Sequence, residues 1–228
     1  MDWSQVTSLT IPEGNVSQIK VNDTILWKMP DQYRYFEVEY LYLNKGDWFN
    51  TGMTQKSNTS VICEISPLAS NTCPLVADIG FVIFQSGTQL QCRYVNQDNK
   101  TLTIEIAKYS TTGEKYYKIY YNVDREFWCE IDGVQGNKVA LNENDIISPS
   151  TKTIYINTGP NNQYKSSGKY KQVSLYEEDK LVYNVIPCID IETNTYGFYE
   201  TISKKFLLED NGHTMTGGNI VENGYKFK

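Results

Sequence analysis

The stretch Lys115–Gly133, KYYKIYYNVDREFWCEIDG, limits most strongly what this chain can fold into. Aromatic and β-branched residues alternate along two runs, and a turn-forming segment at Asn122–Arg125 separates them, which predicts a β-hairpin. Successive side chains of a strand point to opposite faces. The two faces of the second run carry Phe127, Cys129 and Ile131 on one side and Trp128, Glu130 and Asp132 on the other. We expect the first set in a core and the second on a polar surface.

Further strand-like runs follow the same pattern over most of the chain, and no segment keeps a 3.6-residue apolar period. The predicted strands are Tyr33–Leu43, Ser60–Ser66, Phe81–Gln85, Leu90–Asn96, Thr101–Tyr109, Lys138–Leu141, Thr153–Asn157, Lys169–Glu177, Lys180–Pro187, Phe198–Thr201 and Lys205–Leu208. Asp47–Asn50 is predicted to be a polar turn that holds Trp48. With 18 tyrosines among 228 residues, this pattern predicts an all-β fold, a sandwich or jelly roll spanning residues 31–228.

Residues 1–30 are predicted to form a separate small module, a meander of the strands Val6–Ile11, Val16–Val21 and Thr24–Lys28. A module of this size rarely holds a core of its own. We therefore expect it to dock on the larger domain, on a copy of itself or on another protein, and we expect a homo-oligomer, for which a trimer is one arrangement. The residues expected to make this attachment are Ile11, Pro12, Ile19, Leu26 and Trp27.

Charge and hydropathy exclude some classes of partner. The formal net charge is -6 and no cluster of Lys and Arg offsets it, so we expect no nucleic-acid partner. No apolar run approaches the length of a membrane span and no signal segment follows Met1, so neither membrane insertion nor secretion is expected.

Metal and disulfide chemistry have little support in the sequence. The five cysteines are widely spaced and are expected to be free, buried thiols of a protein made in a reducing cytoplasm. The single histidine, His213, is expected in a surface loop, so clustered zinc ligands are missing. We expect no cofactor, with calcium as a minor possibility.

Several passages, taken in order, resemble structural proteins of phages and prophages. Leu9–Lys28 resembles their recurrent N-terminal module. Five further passages are similar to the concanavalin A-like, laminin-G-like domain of those proteins: Val38–Gly52, Phe127–Gly133, Tyr170–Pro187, Tyr196–Phe206 and Asn211–Gly218. The resemblance implies a concanavalin A-like jelly roll carried on a virion made in the cytoplasm of a bacterial host, in a tail fibre, baseplate or head fibre. It also implies attachment to other virion proteins through residues 1–30 and binding to a host surface polysaccharide.

The fragment Glu130–Ile131–Asp132 raises the alternative of a glycoside hydrolase. Retaining glycosidases on this fold carry E-I-D-x-x-E, with the first Glu as nucleophile and the last as acid/base. Here the last position is Gln135, whose amide cannot exchange a proton as a carboxylic acid does, and Gly133 predicts an early turn. We therefore expect no enzyme.

Sugar binding on a β-surface needs exposed aromatic rings beside polar side chains. Trp128 is the leading candidate, Tyr120 is predicted to share its sheet face, and Trp48 is the third ring. Glu130 and Asp132 are weaker candidates, since both are expected chiefly as polar-face and turn residues. A purely structural capsid or tail decoration protein remains the alternative function.

Overall fold

A computed structural model of the chain describes the backbone of residues 18–21 and 24–28, and residues 33–67, 74–78, 80–110, 113–157 and 167–228. These ranges contain 21 strands in three sheets and no helix, so the all-β prediction is confirmed. They likewise contain no helix long and apolar enough to cross a membrane. All strand pairs within the sheets are antiparallel.

The smaller of the two main sheets has six strands. Their order across the sheet is β10 (Thr101–Lys108), β9 (Gln89–Val95), β8 (Phe81–Ser86), β7 (Leu75–Asp78), β15 (Thr153–Asn157) and β5 (Trp48–Thr54). β7 was not predicted. β5 contradicts the predicted turn at Asp47–Asn50: Phe49 is buried in the core and Trp48 begins the strand.

The larger sheet has thirteen strands. Its main path runs through β13 (Val134–Gln135), β12 (Glu126–Ile131), β11 (Tyr117–Val123), β6 (Thr59–Pro67), β16 (Gly168–Glu177), β17 (Lys180–Asp190), β18 (Thr195–Glu200) and β19 (Lys205–Leu207). Five short strands flank it, namely β3 (Tyr35–Glu37), β4 (Leu41–Leu43), β14 (Val139–Ala140), β20 (Thr216–Gly217) and β21 (Lys226–Phe227). The predicted strand Tyr33–Leu43 is therefore two strands, β3 and β4, with different partners.

The core lies between the two main sheets. Aromatic rings from opposite sheets meet there edge-on or stacked, which is how flat side chains fill the space between two twisted sheets. The ring pairs are Phe49 with Phe198, Phe81 with Tyr121, and Tyr94 with Phe127, at centroid distances of 4.8, 4.8 and 5.7 Å. The predicted β-sandwich is thereby confirmed.

The predicted hairpin at Lys115–Gly133 is present as β11 and β12. Its turn is the pair Asp124–Arg125, with φ angles of 51° and 60°, the conformation of a two-residue type I′ turn. Phe127 and Cys129 are fully buried, and Ile131 is partly buried against the same core. The prediction that these three side chains face the core is confirmed.

The N-terminal strands form a sheet of their own, in which β1 (Gln18–Val21) pairs with β2 (Thr24–Lys28). This confirms the second hairpin of the predicted meander. The first predicted strand, Ile11 and Pro12 lie outside the described residues, as do the side chains of Ile19, Leu26 and Trp27. Attachment through residues 1–30 stays a prediction.

Four of the five cysteines are described, and all four are buried free thiols, as predicted: Cys63, Cys92, Cys129 and Cys188. Burial raises the pKa of the Cys129 thiol to about 12, so this group stays a protonated thiol at neutral pH. Cys73 lies outside the described residues.

Candidate functional site

The larger sheet has one side packed on the core and one side turned away from it, which we call the outer face. Strand register arranges its side chains in rows. One row crosses β12, β11, β6, β16 and β17 and contains Trp128, Tyr120, Ile62, Ser174 and Asn184. Four spacings of about 4.8 Å make this row about 19 Å long. A parallel row begins with Glu130, Lys118 and Glu64.

Three of the five predicted site residues meet on the outer face. The rings of Tyr120 and Trp128 stack with their centroids 4.4 Å apart and their planes 9° from parallel. The Tyr120 hydroxyl donates a hydrogen bond of 2.9 Å to Glu130 Oε1. The prediction that Tyr120 shares the face of Trp128 is confirmed.

The ring of Trp128, the leading candidate, is covered rather than exposed. Its exposed fraction is 6%. Besides the stacked ring of Tyr120, Lys138, from the connection between β13 and β14, places its ammonium 4.1 Å from the ring centroid. Lys138 is held there by Glu126, with Nζ 2.8 Å from Oε2. The indole Nε1 is buried and finds no hydrogen-bond acceptor among the described residues. A role of Trp128 in ligand binding stays a prediction.

The other two predicted site residues lie elsewhere. Asp132 belongs to the turn after β12, with φ 50°, and its Oδ1 accepts the backbone N–H of Tyr116 at 2.9 Å. The early turn predicted from Gly133 is thus confirmed, and Asp132 lies beyond the end of β12 rather than on its outer face. Trp48 faces away from the core on the smaller sheet, where its ring meets Tyr155 edge-on at 5.4 Å. It does not join Tyr120 and Trp128.

A groove of about 350 Å³ lies on the outer face next to β16 and β17. It is lined by Glu37, Lys171, Gln172, Asn184, Ile186, Thr201, Tyr225 and Phe227. The Tyr225 side chain is 64% exposed, and its ring lies nearly parallel to that of Phe227, with 6.0 Å between centroids. Phe227 in turn stacks on the buried ring of Tyr199 at 4.0 Å. The groove thus has a supported aromatic wall.

The polar residues of the groove belong to a network of amides and hydroxyls. Gln172 Nε2 donates to Ser174 Oγ at 2.8 Å and to Asn184 Oδ1 at 3.2 Å, and Asn184 Nδ2 donates to Thr201 Oγ1 at 3.0 Å. These bonds fix the side chains before any ligand arrives, which lowers the entropic cost of binding.

One charge of each sign borders the groove. Glu37 Oε2 accepts the backbone N–H of Tyr225 at 2.6 Å and so positions the aromatic wall. Lys171 Nζ lies 3.3 Å from Glu64 Oε1 and 3.7 Å from the ring centroid of Tyr116. The lining is therefore polar and nearly neutral, with no single dominant charge.

A second groove, of about 340 Å³, lies at one end of the sandwich, where four connections converge. Its lining is Ser57, Asn58, Ser60, Asn122, Asp124, Arg125, Leu141, Ile146, Ile147, Glu178 and Asp179. The guanidinium of Arg125 is engaged by the backbone carbonyls of Asn142, Glu143 and Asp145. No aromatic ring is among these lining residues, so this groove offers no stacking surface.

Among the described residues, Asp47, Glu209 and His213 form a group that could hold a metal ion, since their ligand atoms lie within 4.8 Å of one another. His213 is a surface-loop residue, as predicted, but its Nδ1 lies 2.9 Å from Oδ1 of the buried Asp47. Both carboxylates also accept backbone N–H groups, from Asn44 and Asn211. The cluster therefore fastens the C-terminal segment to the loop before β5.

The groove residues were missed in the sequence because they come from five distant segments. Gln172 and Asn184 lie on two strands that were predicted, but the register that brings them together was not. Tyr225 and Phe227 alternate with Lys226 in a short run that carries a strand signal, and this run was not assigned.

Comparisons with known proteins identify no family for this chain. No protein-family model matches it, and no curated protein does. Among solved structures it is similar to the binding domain of Paraclostridial Mosquitocidal Protein 1, with 12% identity and a TM-score of 0.41 over 66% of this chain and 45% of that one. It is also similar to a mutant of HCR/D, with 14% identity and a TM-score of 0.34 over 60% of this chain and 38% of that one. The chain thus spans less than half the length of either. With both TM-scores below 0.5, neither likeness assigns a fold or a function.

Proposed function

We propose that this protein binds carbohydrate without transforming it, and that the groove on the outer face is its binding site. The observation that carries the proposal is the pairing of an aromatic wall, the exposed Tyr225 and the half-buried Phe227, with the fixed polar network of Gln172, Asn184 and Thr201. Aromatic faces suit the apolar patches of sugar rings, while amides and hydroxyls both donate and accept hydrogen bonds, as sugar hydroxyls do. The volume of about 350 Å³ lies at the small end of ligand pockets, which suits one or two sugar units.

A glycosidase is less well supported. Glycoside hydrolysis needs two carboxyl groups about 5–9.5 Å apart across the scissile bond. Glu37 is the one carboxylate among the residues that line the groove, and it holds the backbone of Tyr225. Glu130 accepts the Tyr120 hydroxyl, and Asp132 lies in a turn.

We extend the proposal to a phage adhesin, on the strength of the sequence resemblance. In this proposal residues 1–30 attach the chain to other virion proteins, and the outer face binds a surface polysaccharide of the bacterial host. The alternative is a decoration protein of the virion that binds no glycan.

Replacing Tyr225 is the first test. Tyr225→Ala should weaken binding to extracted host surface polysaccharide by about tenfold or more, because an aromatic anchor at a binding site commonly contributes 2 kcal/mol or more. Since the Tyr225 side chain is largely exposed, the free energy of unfolding should change by less than about 0.5 kcal/mol. Isothermal titration calorimetry of the full chain measures the affinity, and chemical denaturation measures the stability.

Ile146→Ala serves as the control, because Ile146 is 41% exposed and lines the groove at the end of the sandwich. It should bind as the unaltered protein does. Equal affinity of the Tyr225 variant and the unaltered protein would contradict the proposed site. No saturable binding by the unaltered chain, to polysaccharide or to host cells, would favour the decoration protein.

A further inference from the structure

We propose that the indole of Trp128 forms a second sugar subsite, which the side chain of Lys138 covers until a ligand displaces it. The ligand would then be an extended polysaccharide chain that spans this subsite and the Tyr225 groove. This inference rests on the proposed function and specifies its ligand.

The stacking geometry leaves one face of the indole for a ligand. The ring of Tyr120 lies parallel to the indole at 4.4 Å and fills one of its faces. The ammonium of Lys138, 4.1 Å from the ring centroid, therefore lies against the other. Moving this one side chain would expose an aromatic surface already supported from behind, as Phe227 is supported by Tyr199 in the groove.

The indole nitrogen of Trp128 lacks a hydrogen-bond partner among the described residues. Nε1 of Trp128 is buried, and no acceptor among the described residues bonds it. A buried donor without a partner is costly, and tryptophan N–H groups usually find one. Because the indole N–H points along the ring plane, the acceptor would be a hydroxyl of the sugar chain that reaches past the edge of the ring, rather than an atom stacked on its face.

Lys138 is held weakly enough to move. Its side chain is 39% exposed, and that of its partner Glu126 is 30% exposed. Exposed ion pairs contribute little to stability, and a lysine restrained in one geometry regains rotamer entropy on release. The residue also lies in the short connection between β13 and β14, which are two residues long each.

The row on the outer face sets the spacing between the two subsites. From Trp128 it passes Tyr120, Ile62 and Ser174 to Asn184, which lines the groove. The row is about 19 Å long, several times the width of one sugar ring. A single monosaccharide cannot touch both ends, whereas a chain of several sugars can.

Lys138→Ala should therefore increase affinity for the full polysaccharide by about fivefold, because the closed state loses its cation–π contact and its ion pair. Lys100→Ala is the matched control. It removes the same charge from a side chain that is 72% exposed, in the connection between β9 and β10. A comparison of the two variants therefore separates the effect of uncovering the indole from the effect of the change in net charge. Equal affinities of the Lys138 and Lys100 variants would overturn the proposal.

The double variant Lys138→Ala/Trp128→Phe removes the indole N–H and part of the ring. The gain from Lys138→Ala should vanish in the Trp128→Phe background, whereas a gain that persists there would assign the effect to another contact. Fragments of one or two sugars should bind the unaltered protein and the Lys138 variant equally. If Tyr225→Ala weakens binding but Lys138→Ala changes nothing, the groove is supported as the binding site and the second subsite is refuted. If the polysaccharide does not bind at all, the proposed function itself is refuted.

Discussion

Asn157→Ala should lower the free energy of unfolding by about 4 kcal/mol. Asn157 is fully buried at the end of β15. Its Nδ2 donates to the backbone carbonyls of Asn44, at 3.0 Å, and Asp47, at 2.6 Å, and its Oδ1 accepts the hydroxyl of Tyr170 at 3.0 Å. Alanine would break all three bonds. The backbone also has φ 69°, which asparagine tolerates better than alanine.

The hydrogen bond from Tyr170 makes Asn157 important for the packing of the two sheets. Tyr170 lies on β16 of the larger sheet, so Asn157 ties the two sheets together through a buried polar contact. Urea denaturation measures the loss, with Asn99→Ala as control. Asn99 shares the left-handed backbone, with φ 59°, but its side chain is exposed, so its substitution should cost about 1 kcal/mol. A similar cost for both variants would show that backbone strain, rather than the buried bonds, is what Asn157 relieves.

Glu200→Gln should lower stability at neutral pH by about 2–3 kcal/mol. The buried Glu200 carboxylate accepts backbone N–H groups from Asn184, at 3.1 Å, from Ile202, at 3.0 Å, and from Ser203. An amide has one oxygen in place of two, and its NH₂ would face a donor. Thr201 belongs to the turn that Glu200 holds, so polysaccharide affinity should fall as well.

The effect of Glu200→Gln should depend on pH. Burial alone would raise the pKa of Glu200, but the hydrogen bonds from Ser203, Ile202 and Asn184 outweigh burial and hold the pKa below its ordinary value. A lowered folded-state pKa means that the carboxylate stabilises the fold above the unfolded-state pKa of about 4.3 and loses this contribution as pH falls through the folded value. The stability gap between the unaltered protein and the variant should be constant near neutrality and shrink in acid. A gap that stays constant down to pH 3 would contradict this account; Glu222→Ala, at an exposed position, is the control.

The hairpin, and which of its side chains face the core, could be predicted from the sequence because both depend on neighbours along the chain. Strict alternation fixes which side Phe127 and Cys129 take, and Gly133 marks where the strand ends. Trp48 was assigned wrongly because the polar residues around it outweighed the strand signal. Its neighbour Phe49 packs on Phe198, about 150 residues away, and that contact determines the strand.

Exposure of a particular ring could not be predicted in the same way. The position of Trp128 on the outer face follows from alternation, but its cover, Lys138, comes from a connection whose path depends on two two-residue strands. The groove depends on even longer-range order. Glu37 and Tyr225, which a hydrogen bond joins, are 188 positions apart, and no local pattern encodes such a pairing.

The most direct test of the central claim is a crystal structure of the full chain soaked with an oligosaccharide fragment of the host surface polysaccharide. We expect a sugar ring against Tyr225, with hydroxyls bonded to Gln172 or Asn184 on the outer face. A ligand seated instead in the groove lined by Asn58, Asp124 and Asp179, or against Trp48 on the smaller sheet, would contradict it.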